Sequence, residues 1–406
     1  MDETSFAVVG AQNFAAEYIS NIRSLGGDGV GLAGVVITDQ TAEGERAREL
    51  RRDGIRIFDS YEDLLRNGHR HVDVIGLPTS IASHAELSIA GMTHGYDVLL
   101  EKPPAPTVGE LDAISRTADR TGRFCSVGFQ YLHAPSIRRL KRELLDGAIG
   151  DLEAVACQGS WPRSNAYYER NGWAGRLVHR GDVVLDGPVN NAFAHFLQNM
   201  LFLTGEEAHE TGTLTEVTAE CYRANPDIQA ADIACLTATT DGGVDIDFYV
   251  THVPPERRDP SIVIEGTEGI AEWRYSGDTT IRPADGEPIS FDDGDVDPGL
   301  EVFRRTAAYE RGDVDALYCT PETTREFVTA VNGSFESSGT VVQLPDDAVR
   351  TEETDDGTVR RVAEGIDELL DEAFERRVQL SDTGAEWAEP SSPVDLTGYE
   401  QFTPLS

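Results

Sequence analysis

The sequence predicts an α/β protein with two domains: an N-terminal doubly wound parallel sheet and a C-terminal α+β domain with a large, mostly antiparallel sheet. In the first 130 residues, short apolar runs alternate with segments of helical periodicity, which is typical of βαβ units. Later strand-like runs follow one another across short turns, which indicates antiparallel pairing. Because 406 residues exceed one ordinary core, we expect domains at 1–130 and 131–406.

Composition and charge argue against several classes of protein. The net charge of −38 is spread along the chain and disfavours binding to nucleic acid or to an anionic membrane. No apolar run reaches about 18 residues and the N-terminus lacks a basic segment, so neither a membrane span nor a signal peptide is expected. Five scattered cysteines have no metal-binding spacing, which predicts no metal site and a cytoplasmic location. Such an acidic chain, with two lysines among 34 basic residues, is typical of a salt-accumulating (halophilic) organism.

The first strand-like run ends in a turn suited to a dinucleotide phosphate. A helix begins directly after this turn, and the N–H groups at a helix N-terminus bind pyrophosphate. The pattern G-x-G-x-x-G/A is met at Gly10 and Ala15, but Gln12 replaces the middle glycine. An ordinary strand–helix turn is therefore the alternative interpretation. The cofactor-binding residues predicted here are Gly10, Gln12, Asn13 and Phe14.

Asp39 follows the second strand-like run, Val30–Ile37. A carboxylate at this position binds the ribose hydroxyls of a dinucleotide and repels a 2′-phosphate, so it favours NAD over NADP. Aspartate is also a frequent N-cap, here for a helix predicted at Glu43–Arg52. The two roles are compatible.

Lys102 stands out because arginine supplies nearly every other cation of the chain. It follows a short apolar run, and an ammonium group can exchange a proton where a guanidinium cannot. A solvated charge after a strand is the alternative. Right-handed crossovers place Lys102 at the same carboxyl edge of the sheet as Gly10, Asp39 and Pro78, where ligands bind.

Aromatic and polar residues crowd together at 161–173, between two strands of the second domain. Stacked aromatic rings with guanidinium and amide donors suit a sugar, which has both an apolar face and hydroxyl groups. A loop that packs on the sheet edge is the alternative. The predicted substrate-binding residues are Tyr168, Arg170, Asn171 and Trp173.

A helix is predicted from Asn190 towards Gly205, with Asn191 and His195 four positions apart on one face. Taken alone, a single histidine on an apolar helix is more often a core residue than a functional one. The spacing therefore marks a candidate pair without assigning its chemistry.

The segments Asp73–Pro78 and Gly95–Pro103, with His84 between them, resemble the glucose–fructose oxidoreductase/inositol dehydrogenase (Gfo/Idh/MocA) family. Glu-Lys-Pro after such a Pro/His unit is more specific than any glycine pattern. The resemblance implies that Lys102 lies beside the nicotinamide and the reacting hydroxyl group. The cofactor-binding residues assigned to these segments are Pro78, His84, Glu101 and Lys102.

The resemblance extends to the second domain. The family carries Asp-x-x-x-His ten residues before a glycine; His195 lies ten residues before Gly205, and Asn191 holds the aspartate position. The resemblance implies an open sheet with one face against the cofactor and another available for subunit contact. A homodimer or homotetramer through this sheet is therefore expected.

Together these features predict an NAD-dependent oxidoreductase of a sugar, cyclitol or related polyol. The predicted catalytic residues are His195 as general base, Lys102 as the charge that lowers the hydroxyl pKa, and Asn191 as a substrate-orienting group. One alternative is an enzyme that uses NAD transiently to cleave a glycosidic bond. The other is a non-catalytic protein that senses a sugar or nucleotide, favoured by Gln12 in the glycine pattern and by Asn191 in place of aspartate.

Overall fold

The computed structural model describes residues 3–38, 44–355 and 357–403. In chain order the strands are β1 Thr4–Val9, β2 Val30–Val36, β3 Arg56–Phe58, β4 Val74–Leu77, β5 Asp97–Leu100, β6 Cys125–Val127, β7 Leu152–Ser160, β8 Val178–His179, β9 Asp182–Val183, β10 Leu214–Arg223, β11 Ile233–Thr240, β12 Asp245–Thr251, β13 Arg258–Gly266, β14 Gly269–Arg274, β15 Thr279–Pro283, β16 Ile289–Phe291, β17 Val342–Gln343, β18 Val349–Glu353, β19 Val359–Ala363 and β20 Val394–Asp395. The helices are α1 Phe14–Ser24, α2 Gly44–Arg52, α3 Tyr61–Asn67, α4 His84–Thr93, α5 Val108–Thr121, α6 Pro135–Leu145, α7 Asn165–Glu169, α8 Ala194–Leu203, α9 Pro298–Glu310, α10 Arg325–Ser338 and α11 Ile366–Arg376.

The chain forms two compact units. The first comprises 1–105, 109–134 and 295–325, and the second comprises 106–108, 135–294 and 326–406. Residues 295–325 group with the first unit, although along the chain they follow most strands of the second. The reason is apolar packing, because Phe303 of α9 lies 4.9 Å from the Tyr18 ring and 6.1 Å from the Phe6 ring, centroid to centroid.

The first unit is a parallel six-stranded sheet in the order β3-β2-β1-β4-β5-β6. Its strands are short and apolar, and β4 and β5 are buried along their whole length, as expected for a sheet covered on both faces. The strand order reverses between β1 and β4, and ligands bind at this point in doubly wound sheets. The predicted parallel fold is confirmed.

The second unit contains a ten-stranded sheet in the order β16-β15-β14-β13-β7-β12-β11-β10-β17, and β20 also pairs with β10. Most neighbours are antiparallel, but β7 with β12 and β10 with β17 are parallel. The predicted α+β class with a mostly antiparallel sheet is therefore confirmed. Among the described residues, no helix is long and apolar enough to cross a bilayer.

A helix of the same chain packs on the large sheet. Tyr249 and Cys235 of the sheet form a buried cluster with Ile366 and Leu370 of α11. Residues 359–363 pair with β18 as a strand, so that β18 and β19 form a hairpin. The helix α11 begins at Ile366.

Lys141, the second of the two lysines, is buried on α6 with 1% of its surface exposed. Its ammonium group donates a hydrogen bond to the carbonyl of Gly205, just after α8, and lies 5.3 Å from the centre of the Phe202 ring. Burial, with a smaller effect of nearby Arg138, lowers the pKa of Lys141 to about 7. Lys141 therefore packs α6 against the end of α8.

This depressed pKa predicts a pH-dependent stability. Between pH 7 and 10.5, the ordinary pKa of lysine, the unfolded chain binds a proton that the folded chain does not, so the free energy of unfolding rises with pH. Denaturant unfolding measured across this range should show a smaller rise for Lys141→Met than for the wild type. If the free energy of unfolding depends on pH equally in the two proteins, the depressed pKa of Lys141 is contradicted.

Candidate functional site

The turn between β1 and α1 depends on Gly10. Its φ is +99°, in the left-handed region, and a Cβ built on it would lie 3.2 Å from the Cβ of Ala15. The Gly10 N–H donates to the carbonyl of Val36 on the neighbouring strand at 3.0 Å. Glycine thus lets α1 begin directly at the carboxyl end of β1.

The first turn of α1 lies open to solvent. Gln12, Asn13 and Phe14 are exposed, and Asn13 adopts a φ of +51° at the N-cap. The first N–H groups of a helix have no partner within the helix and attract anions. Because the Gln12 side chain lies at the surface, a non-glycine residue fits at the middle position of the glycine pattern. This turn fits the pyrophosphate of a dinucleotide.

Asp39, the predicted ribose ligand, lies outside the described residues. Its assignment, and the preference for NAD over NADP that it supports, stay predictions.

His84 is placed behind the carboxyl edge of the sheet, with 1% of its surface exposed. Its Nδ1 lies 2.8 Å from the carbonyl oxygen of Pro103 and its Nε2 lies 3.2 Å from that of Thr79. Burial lowers the pKa of His84 to about 4, so the ring is neutral at pH 7. Both ring nitrogens face backbone carbonyls, so they are not placed for the predicted cofactor contact. We instead assign His84 to holding the loop after β4, which begins at Pro78, against the loop after β5.

Glu101 and Lys102 follow β5 at the same edge. The Tyr18 hydroxyl donates to Glu101 Oε2 at 2.8 Å, and burial raises the pKa of Glu101 to about 7, although Lys102 opposes the rise. Lys102 is partly buried, and its peptide bond to Pro103 is cis. A cavity of about 120 Å³ touches Glu101, Tyr18 and Phe14. Glu101 is thus anchored by α1, and Lys102 is held at the end of the strand.

In the second unit, the predicted aromatic segment begins where β7 ends and includes α7. The guanidinium carbon of Arg170 lies 3.8 Å from the centre of the Tyr167 ring and 5.3 Å from that of Trp173. The Tyr168 hydroxyl is buried and has no hydrogen-bond partner among the described residues. The segment thus combines a guanidinium group stacked on aromatic rings with a buried phenol, both of which can contribute to binding a polar ligand.

The Asn171 side chain has fewer hydrogen-bonding groups left for a substrate than the sequence suggested. Its Oδ1 accepts hydrogen bonds from the N–H of Trp173 at 3.1 Å and of Ala174 at 2.8 Å. The side-chain oxygen therefore forms a local Asx turn. Only its amide NH2 stays a candidate for binding substrate.

Asn191 and His195 do not lie on one regular helix, so this prediction was wrong. Pro188–Ala192 forms a π-helical turn, in which the Phe193 N–H donates to the Pro188 carbonyl at 2.8 Å, and α8 begins only at Ala194. The spacing of i and i+4 therefore does not set the relation of these two side chains. The chain enters this turn through Gly187, whose φ of +150° is a conformation that glycine adopts without strain.

Asp186 was not predicted, although it contacts two of the predicted residues. It is 3% exposed, and its Oδ2 accepts a hydrogen bond from the N–H of Gly175 at 2.6 Å. The Asn191 Nδ2 donates to Asp186 Oδ1 at 2.8 Å, and Arg170 Nη2 lies 3.9 Å from Oδ2. Burial raises the pKa of Asp186, although these contacts oppose the rise. Its position ahead of a Gly-Pro turn is the only signal that the sequence carried.

His252 was also missed. The ring is 1% exposed, its Nδ1 lies 3.1 Å from the Trp161 carbonyl oxygen, and it stacks on Phe193 with 5.5 Å between ring centroids. Burial, together with the charges of Arg163 and Arg170, lowers the pKa of His252 to about 3. It is therefore a neutral histidine beside the aromatic segment. Only the parallel pairing of β7 with β12 brings it there, which no local pattern reveals.

Comparisons with known proteins agree with both units. The family model of the GFO_IDH_MocA oxidoreductases, with an NAD-binding Rossmann fold, matches residues 4–129, and that of the GFO/IDH/MocA C-terminal domain matches 137–272. The rhizopine catabolism protein MocA of Rhizobium meliloti is 24% identical over 239 residues, which are 58% of this chain and 68% of that protein.

Two solved structures share the fold. The WlbA dehydrogenase of Bordetella pertussis, in complex with NADH and UDP-GlcNAcA, matches with a TM-score of 0.69 and 21% identity, over 83% of this chain and 96% of that one. A super-repressor mutant of Gal80p from Saccharomyces cerevisiae matches with a TM-score of 0.68 and 14% identity, over the same shares of the two chains. At these identities the likeness establishes the fold alone.

The Gly10 geometry predicts weaker cofactor binding when a side chain is added. Gly10→Ala forces a left-handed φ and crowds α1, so we expect the affinity for NAD to fall about tenfold. Calorimetric titration with NAD measures this change. Gly109→Ala is the matched control, because a Cβ at Gly109 meets nothing within 4 Å. Unchanged affinity in Gly10→Ala would contradict the proposed phosphate turn.

The raised pKa of Glu101 predicts a second pH effect, of opposite sign to that of Lys141. Between pH 4.5 and 7 the folded chain binds a proton that the unfolded chain has lost, so the free energy of unfolding falls as the pH rises. Glu101→Gln should remove the contribution of Glu101 to this fall in the free energy of unfolding. Glu86→Gln, at an exposed carboxylate of α4, should leave the pH profile of unfolding unchanged.

Proposed function

We propose, from the premise that this chain belongs to the Gfo/Idh/MocA oxidoreductase family, that it transfers hydride between NAD and a hydroxyl-bearing carbon of a sugar, cyclitol or related polyol. The observation that carries the proposal is the Glu101–Lys102 pair at the carboxyl end of β5, anchored by Tyr18 on an NAD-binding Rossmann sheet. The aromatic and guanidinium groups of the second unit, and the UDP-sugar bound by WlbA, support the substrate class.

NAD supplies the hydride acceptor in the direction of oxidation. The substrate loses a hydride from carbon and a proton from the adjacent hydroxyl group, so a carbonyl, NADH and a protonated base result. In the proposal His195 takes the proton, because the ordinary pKa of histidine lies near neutral pH. The Lys102 ammonium lowers the pKa of the same hydroxyl by its charge. Asn191 orients the substrate, and selectivity comes from Tyr168, Arg170, Asn171 and Trp173.

In the first unit, the residues that hold NAD are those of the carboxyl edge. The N–H groups after Gly10 bind the pyrophosphate, and Asp39 binds the ribose hydroxyls. Pro78 and Glu101 shape the edge, while His84 keeps the loops after β4 and β5 together.

Sugar-dependent NADH formation tests the catalytic assignments. His195→Ala and Lys102→Ala should each lower kcat at least a hundredfold on the best substrate of a sugar and cyclitol panel, since each removes a group that acts on the proton being transferred. Lys102→Arg keeps the charge and should retain more activity than Lys102→Ala. His94→Ala, at an exposed histidine, is the control. Wild-type rates for His195→Ala or Lys102→Ala would exclude that residue from the assigned role.

A second candidate is a binding protein without turnover. Two observations favour it: Asn191 carries no charge of its own, and a Gal80p super-repressor has the same fold. Calorimetry that detects binding of NAD and of a sugar, with no NADH formed over the whole panel, would support this candidate over the oxidoreductase.

A further inference from the structure

The hydrogen bond between Asp186 and Asn191 determines which way the amide of Asn191 points. A carboxylate only accepts hydrogen bonds, so the group directed at Asp186 Oδ1, at 2.8 Å, must be the amide NH2. The Asn191 oxygen therefore lies on the other side of the amide group from Asp186. In this orientation Asn191 offers an acceptor to a hydroxyl group and cannot offer a donor in the same place.

Asp186 also supplies the negative charge that Asn191 lacks. A carboxylate that accepts from the amide NH2 polarises the amide and strengthens its oxygen as an acceptor, because hydrogen bonds in series reinforce one another in a low-dielectric interior. With 3% of its surface exposed, Asp186 acts where water screens little. Asn191 and Asp186 thus act as a two-residue unit, in which the Asn191 oxygen is the acceptor and Asp186 carries the negative charge.

The same carboxylate holds other parts of the proposed substrate side. Its Oδ2 accepts from the Gly175 N–H at 2.6 Å, immediately after the aromatic segment, and lies 3.9 Å from Arg170 Nη2. Arg170 in turn stacks on Tyr167. One buried anion therefore fixes an amide, a guanidinium and a turn.

We propose that Asp186 is the positioning residue of the substrate site, and that it acts by orienting Asn191 as an acceptor for a substrate hydroxyl group. This inference rests on the proposed oxidoreductase function. It assigns Asp186 no contact with substrate, and its effect on the reaction passes through Asn191.

Replacement of Asp186 by asparagine separates positioning from folding. The new side chain is nearly isosteric and its oxygen can still accept from Gly175, but its NH2 would then face the NH2 of Asn191. Two NH2 groups cannot hydrogen-bond to each other, so the Asn191 amide flips its oxygen towards residue 186 and presents its NH2 to the substrate. We expect Asp186→Asn to lower kcat/KM about 10- to 100-fold, with a melting temperature within a few degrees of the wild type.

A double exchange provides the decisive comparison. In Asp186→Asn/Asn191→Asp the NH2 of residue 186 donates to a carboxylate at residue 191. The hydrogen bond between the two side chains therefore forms again, and residue 191 again presents an acceptor oxygen to the substrate. We expect kcat/KM within about tenfold of the wild type, well above that of Asp186→Asn. Asn191→Asp alone sets two carboxylates at the 2.8 Å contact and should be impaired like Asp186→Asn. Asp182→Asn, at an exposed position of β9, controls for the loss of one negative charge.

The experiment uses the full chain with saturating NAD and the best polyol of the panel. Rescue by the double exchange supports the inference. Wild-type kcat/KM in Asp186→Asn overturns it, and so does a double variant no more active than Asp186→Asn although both remain folded by circular dichroism. Absence of polyol-dependent NADH formation in the wild type refutes the proposed function instead, so the two failures are distinguishable.

Discussion

The constraint on which the first unit depends is the parallel pairing of its strands. With parallel pairing and the order β3-β2-β1-β4-β5-β6, every strand ends at the same edge, and the reversal between β1 and β4 is the point at which ligands bind in doubly wound sheets. Gly10, Pro78 and Lys102 occupy this edge because each lies just after the end of a strand. A dinucleotide site therefore arises from topology before any particular side chain is considered.

Buried and half-buried polar groups in both units are held in defined roles. Glu101 is anchored by the Tyr18 hydroxyl, and both nitrogens of His84 face backbone carbonyls. Asp186 accepts from Gly175 and Asn191 and lies near Arg170. An unpaired buried charge would be costly, so such contacts are a condition for placing these groups in the interior. They also hold each side chain in one orientation.

Much of the fold was accessible from periodicity, because buried parallel strands and their helices each leave a local pattern. Which segments belong to which unit was harder to predict from the sequence. Residues 295–325 include α9, and tertiary contacts such as that of Phe303 with Tyr18 and Phe6 show that they pack with the first unit. The predicted start of α8 was wrong for a related reason, since the π-helical turn Pro188–Ala192 interrupts a pattern that otherwise reads as one helix from Asn190.

The sequence by itself determined the fold class, the carboxyl-edge residues Gly10 and Lys102, and the aromatic composition of the segment before Trp173, because these follow from residues close together in the chain. Only the tertiary structure placed Asp186 against Asn191 and His252 against Trp161. It also showed that His84 is buried against the carbonyl of Pro103. These contacts depend on strand register, on the path of a turn and on burial. Such features arise when distant segments pack together, so no local pattern encodes them.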